Sequence, residues 1–124
     1  MRVLIADDSK MIRELLTELL HDVGGMEIVG QAEDACQACE LARKLKPDVA
    51  VLDVLMPRGS GIDVLSTIKE HDPSAIVIMF TNLANQEIRQ KSIDGGANYF
   101  FNKAVDLSRF MSVLRRLAHF SGYL

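Results

Sequence analysis

Five short apolar runs rich in β-branched or aromatic residues mark the chain: Val3-Leu4-Ile5-Ala6, Ile28-Val29-Gly30, Val49-Ala50-Val51-Leu52, Ile76-Val77-Ile78-Met79-Phe80 and Tyr99-Phe100-Phe101. Several are continuous rather than alternating, the pattern of strands covered on both faces, as in a parallel sheet. Between them apolar residues recur at helical spacing: Ile12, Leu15, Leu16, Leu19 and Val23, then Ala35, Ala38, Cys39, Ala42 and Leu45, then Ile62, Leu65 and Ile68. The cleanest stripe is the last, Leu107, Phe110, Met111, Leu114 and Leu117, which follows Asp106 as a candidate N-cap. The stretch from Asn85 to Asp94 offers only Ile88 and Ile93 as large apolar anchors, so the fourth helix is expected to be held more loosely than the first or last.

Punctuation agrees with this division. Gly24-Gly25 and Gly95-Gly96 end helices, while Lys46-Pro47-Asp48 and Asp72-Pro73-Ser74 separate helices from strands. Five strands alternating with five helical segments predict one α/β domain over residues 1–124. A helix placed after each strand by right-handed crossovers makes it a three-layer α/β/α sandwich around a parallel sheet.

The 124 residues are enough for a full core without disulfides or a structural metal. Fourteen Lys and Arg against 17 Asp and Glu leave a charge of −3, which argues against a nucleic-acid-binding surface. The one dense basic cluster, Arg115-Arg116, reads as a solvated helix edge. No apolar run reaches the roughly 18 to 20 residues of a membrane span, and the N-terminus meets Asp7-Asp8 too early for a secretory signal. With two cysteines only, the expectation is a cytoplasmic protein without membrane or direct nucleic-acid partners.

In open parallel sheets, ligands sit beyond the carboxyl ends of the strands. Those ends carry Asp7 and Asp8 after the first strand, Asp53 after the third, Thr81 after the fourth and Lys103 after the fifth. Clustered carboxylates repel one another unless a cation neutralises them, and an all-oxygen donor set favours a hard ion such as Mg²⁺. A carboxylate beside Mg²⁺ is equipped to attack a phosphoryl group. Asp53 is the candidate nucleophile, being the lone acid after a central strand. Lys103 and Thr81 supply a point charge and a hydroxyl for the transferred group's oxygens.

The run Ala6-Asp7-Asp8, the stretch Leu52-Asp53-Val54-Leu55-Met56-Pro57-Arg58-Gly59-Ser60-Gly61, and Phe80-Thr81-Asn82, Gly95-Gly96-Ala97 and Asn102-Lys103 follow in an order and at separations that resemble the receiver domain of two-component response regulators. The resemblance covers essentially the whole chain. It implies a flavodoxin-like sheet in strand order 2-1-3-4-5. It also implies Asp53 as the residue phosphorylated by a sensor histidine kinase or phosphotransfer protein, and Asp8, Asp53 and the Leu55 carbonyl as Mg²⁺ ligands, with Asp7 assisting through water. Thr81 and Phe100 would be the switch pair, the hydroxyl turning toward the phosphoryl group and the ring moving inward behind it. The implied output face is the fourth helix, fifth strand and fifth helix, which would engage a downstream protein, an effector domain or, on phosphorylation, a second copy.

Four positions bear on how the chain compares with the family pattern. Ala104 stands where proline and a cis bond are usual, and without proline a cis bond costs roughly 2.5 to 4 kcal/mol, so a trans bond is expected. Asn82 replaces a small residue beside Thr81. Leu55 and Leu83 occupy positions that tune phosphoryl hydrolysis in this family, and neither can orient water, which predicts slow self-dephosphorylation. Cys36-Gln37-Ala38-Cys39 has redox spacing but lacks the Pro and aromatic context of such sites. A flavodoxin would need a Ser/Thr/Gly phosphate loop where Asp7-Asp8 stand. A haloacid-dehalogenase-type phosphatase, the enzyme alternative, would need Asp-x-Asp there.

Overall fold

The structure, a computed structural model, describes residues 1–122, with side chains described through His119. The elements run β1 (Arg2–Ala6), α1 (Lys10–Val23), β2 (Glu27–Ala32), α2 (Ala35–Leu45), β3 (Val49–Leu52), β4 (Leu55–Met56), β5 (Gly59–Ser60), α3 (Gly61–His71), β6 (Ile76–Thr81), α4 (Gln86–Asp94), β7 (Tyr99–Asn102) and α5 (Leu107–Gly122). The main sheet has the order β2-β1-β3-β6-β7, parallel throughout. With the two-residue hairpin β4/β5 set aside, this is the 2-1-3-4-5 order that the resemblance implied, in the flavodoxin-like receiver fold.

Strand pleating divides the core in two. Val3, Ile5, Val49, Val51, Ile78, Phe80 and Phe101 face α1 and α5, where Leu16, Leu20, Phe110, Val113 and Leu114 meet them. Leu4, Ala6, Ala50, Leu52, Val77, Met79 and Phe100 face the opposite layer, including Ala35, Ala38 and Ala42 of α2 and Val64, Leu65 and Ile68 of α3. Phe110 stacks on Phe80 at 4.5 Å between centroids and meets the edge of Phe101 at 6.0 Å, which ties α5 to two strands.

Helical phase differs from the sequence expectation at several positions. In α1 the buried pair is Leu16 and Leu20, whereas Leu15 is exposed, because the sheet and α5 select a stripe at four-residue spacing. In α5, Val113 is buried and Leu107, at the open first turn, is exposed. The Asp106 carboxylate turns back to accept from the Asn102 N–H at 2.9 Å, so its side chain braces the β7–α5 connection. Ile93 is 48% exposed and is no anchor for α4. That helix is held inward by half-buried Ile88 and by buried Ser92, whose hydroxyl donates to the Ile88 carbonyl. The loose docking expected of α4 is thereby reinforced.

The β4/β5 hairpin was not foreseen. It turns through Pro57-Arg58, with Arg58 at φ 61° and Gly59 at φ 129°. Its return brings Gly61 against the Asp53–Val54 backbone, where the Gly61 N–H donates to the Val54 carbonyl at 2.9 Å. A Cβ at Gly61 would lie 2.1 Å from the Asp53 carbonyl oxygen. Replacement by alanine must therefore push the loop away, and Gly61→Ala is expected to cost more than about 2 kcal/mol of stability in urea denaturation.

Candidate functional site

Backbone ladders continue one residue past the strands and carry the polar residues with them. The Asp7 N–H donates to Ala32 O at 3.0 Å, Asp53 N–H to Ala6 O at 2.9 Å and Lys103 N–H to Thr81 O at 3.0 Å. Asp7, Asp53 and Lys103 thus begin where pairing ends, beyond the carboxyl ends of the strands, where the strand order reverses between β1 and β3. Fixing three backbones in one sheet fixes the distances among their side chains.

Asp7 is 1%, Asp53 6% and Thr81 0% exposed, so the centre is shielded from bulk solvent. The Lys103 Nζ donates to Asp7 Oδ2 at 2.5 Å and to Asp53 Oδ2 at 2.7 Å, bridging the two acids. The other Asp53 oxygen, Oδ1, accepts from the Thr81 hydroxyl at 2.6 Å and from the Leu55 N–H at 3.3 Å. The Leu83 N–H donates to that same hydroxyl at 3.1 Å, which aims its proton at the carboxylate. Asp7 Oδ1 accepts from the Ser9 N–H at 2.9 Å, and the Asp7 carbonyl accepts from Arg13 Nη1 at 2.8 Å. Asp8 is exposed at the mouth.

Carboxylate oxygens of Asp7, Asp8 and Asp53 lie within 4.8 Å of one another, the one such metal-competent group among the described residues. Burial raises the Asp7 carboxyl above its usual range, opposed by the bond from Lys103. For Lys103 burial alone would depress the ammonium, but its bonds to Asp53 and Asp7 outweigh this and hold it above its usual value. Three oxygen donors on one open side suit a hard divalent cation that retains some water.

The remaining predicted positions fall as follows. Phe100 is buried on the α4 side of β7, its ring covered by the Arg89 guanidinium at 5.6 Å. Thr81 is turned to Asp53, its hydroxyl donating to Oδ1, while Phe100 lies buried in the neighbouring strand. The Lys103–Ala104 bond is trans, and the lysine nonetheless reaches both acids. Cys39 is half-buried, its Sγ donating to Thr67 Oγ1 at 3.5 Å, and Cys36 is exposed beside Arg58. Ser9 and Arg13 were not anticipated, nor was the bond from the Leu83 backbone N–H to Thr81. Only the N-cap preference of serine hinted at Ser9, whose hydroxyl caps α1 at the Ile12 N–H. No helix among the described residues is long and apolar enough to cross a membrane.

The response regulator receiver domain family matches residues 3–115. Chemotaxis protein CheY of Halobacterium salinarum is 36% identical over 102 residues, 82% of this chain and 83% of that protein. The response regulator domain of Thermotoga maritima CheB aligns with a TM-score of 0.83 and 29% identity, covering 100% of this chain and 97% of that one. CheY in the CheX–CheY–BeF3–Mg complex from Borrelia burgdorferi aligns at 0.78 with 33% identity, over 90% of this chain and 87% of that one. The chain belongs to the response regulator receiver domain family and is a response regulator of two-component signal transduction.

Because its carboxyl is held above the usual range, ionised Asp7 costs stability when no cation is bound. That cost is full above the raised folded value and disappears as pH falls through it toward about 3.9. Asp7→Asn in EDTA is therefore expected to be more stable than the parent at pH 7.5, on the order of 1 kcal/mol. The advantage should vanish below about pH 4 in urea titrations across pH.

Proposed function

We propose that Asp53 is the phosphoacceptor, receiving its phosphoryl group from a sensor histidine kinase or a phosphotransfer protein. The observation that carries this reading is the setting of the Asp53 carboxylate between the Thr81 hydroxyl and the Lys103 ammonium, beside Asp7 and Asp8. One Asp53 oxygen forms the new bond to phosphorus while the donor's phosphorus–nitrogen or acyl phosphorus–oxygen bond breaks, its electron pair leaving with the donor. Lys103 and Thr81 then hold oxygens of the transferred group by charge and by hydrogen bond. Asp8, Asp53 and the Leu55 carbonyl would hold Mg²⁺ directly, and Asp7 would do so through water. When bound, the ion supplies charge neutralisation for the anionic reactants. Support for the ion comes from the all-oxygen donor set and from the related CheY in complex with BeF3 and Mg.

The acid–base groups serve the domain's own phosphorylation and hydrolysis, with no turnover of a metabolite. Met11, in the first turn of α1 three residues after Asp8, and Val105, two residues after Lys103, are each 77% exposed, apolar ground for a docking phosphodonor. Output is read on the face of α4, β7 and α5, where Phe100 lies under Arg89 on the least anchored helix. The reader is a downstream protein, an effector domain or a second copy, and the setting is cytoplasmic. A haloacid-dehalogenase-type phosphatase finds no support, and the adjacent pair Asp7-Asp8 lacks its spacing.

Asp53→Asn is expected to abolish uptake of phosphoryl from acetyl phosphate with Mg²⁺ present, read by intact mass; undiminished labelling would remove Asp53 from this role. Sustained phosphate release from diverse monoesters would instead favour the phosphatase. Leu55 is largely exposed and Leu83 half-buried at the acceptor's rim, and neither side chain can align water. Replacing both by polar residues is expected to shorten the phosphoryl lifetime several-fold, followed by the decay of labelled protein.

A further inference from the structure

Asp7 is held at every polar atom, whereas Asp8, its neighbour at the mouth, is exposed and is placed by its backbone. The peptide joining the two is planar, so whatever grips the Asp7 carbonyl also sets the direction in which the Asp8 Cα leaves the strand. That carbonyl lies past the last ladder bond of β1, and its partner is the half-buried Arg13 guanidinium, one turn into α1, at 2.8 Å. The ion pairs of the described residues do not include Arg13. Its charge therefore stands behind the three carboxylates without occupying an oxygen that a cation would use. Lys103 is arranged differently, sitting directly on one oxygen of Asp7 and one of Asp53.

We propose that Arg13 is a positioning residue for Asp8. It fixes the Asp7–Asp8 peptide plane and offsets the crowded negative charge, so that Asp8 is presented to a divalent cation at little cost in ordering. This rests on the reading of the acidic cluster as a Mg²⁺ site. Arginine suits the task because its guanidinium never deprotonates and its planar donors keep a set direction. Groups that orient metal ligands typically govern affinity by about 10- to 100-fold.

The test is titration of purified, EDTA-stripped protein with MgCl₂ by isothermal calorimetry, on the parent, Arg13→Ala, Arg13→Lys and Asp8→Asn, with urea denaturation in EDTA alongside. Alanine is a strong helix former, so α1 should persist in that variant. Arg13→Ala is expected to weaken Mg²⁺ binding by about tenfold or more, with metal-free stability moved little. Arg13→Lys, retaining a charge and a donor, should recover most of the affinity. In the acetyl phosphate reaction, Arg13→Ala should raise the half-saturating Mg²⁺ concentration and leave the rate at saturating Mg²⁺ near that of the parent. Unchanged affinity in Arg13→Ala, while Asp8→Asn loses binding, would overturn the positioning role alone. So would an affinity loss in Arg13→Ala that lysine does not relieve and that tracks a loss of stability. A parent that takes up no Mg²⁺ would overturn the metal reading and this inference together.

Discussion

Two carboxylates removed from water at the ends of the central strands are held together by one ammonium that touches both. Asp7 and Asp53 would repel each other in a site shielded from bulk solvent, and an unpaired buried charge costs several kcal/mol. Lys103 turns that repulsion into two short charge-assisted bonds. The same contact leaves one oxygen of each acid occupied by Lys103 and the other held by a different donor. Burial is what raises the Asp7 carboxyl, and it places that group in a cluster of three acids whose oxygens face one another.

From this centre the structure leads outward along two lines. One runs through Thr81, whose hydroxyl takes its direction from the Leu83 N–H and donates to Asp53, so that the start of the β6–α4 connection is tied to an Asp53 oxygen. The other runs across the sheet to Phe100, a buried ring capped by Arg89 of α4. Helix α4 is the natural place for these lines to meet. With Ile88 half-buried, Ile93 in solvent and a serine as its one fully buried side chain, it has little apolar surface opposing movement. The well-anchored helices α1 and α5, with Leu16, Leu20, Phe110 and Leu114 in a shared core, provide the fixed frame.

The sheet and its helices were legible because parallel strands, covered on both faces, must be apolar without interruption, and Val49–Leu52 matched its predicted span. Helix phase was less so. Leu15 and Leu19 fit a stripe as well as Leu20 does on paper, and only the packing of α1 against the sheet and α5 decides for Leu16 and Leu20. Ile93 was misjudged for the same reason, since hydrophobicity says nothing of whether a neighbour is there to cover it. The β4/β5 hairpin was invisible because two-residue strands carry no period.

The chain itself determined which chemistry is available: acids, a hydroxyl and an amine placed just beyond apolar runs, where ladder pairing stops and side chains must face a crevice. The local spacing of Asp7, Asp8, Asp53, Thr81 and Lys103 therefore suffices to name the candidates. Tertiary structure alone decided which oxygen each group touches, that Lys103 reaches both acids across a trans Ala104 bond, and that Arg13, six residues from Asp7, turns back to hold its carbonyl. Those contacts join residues up to 96 positions apart. Their geometry is a property of strand order and register, which no stretch of neighbouring residues encodes.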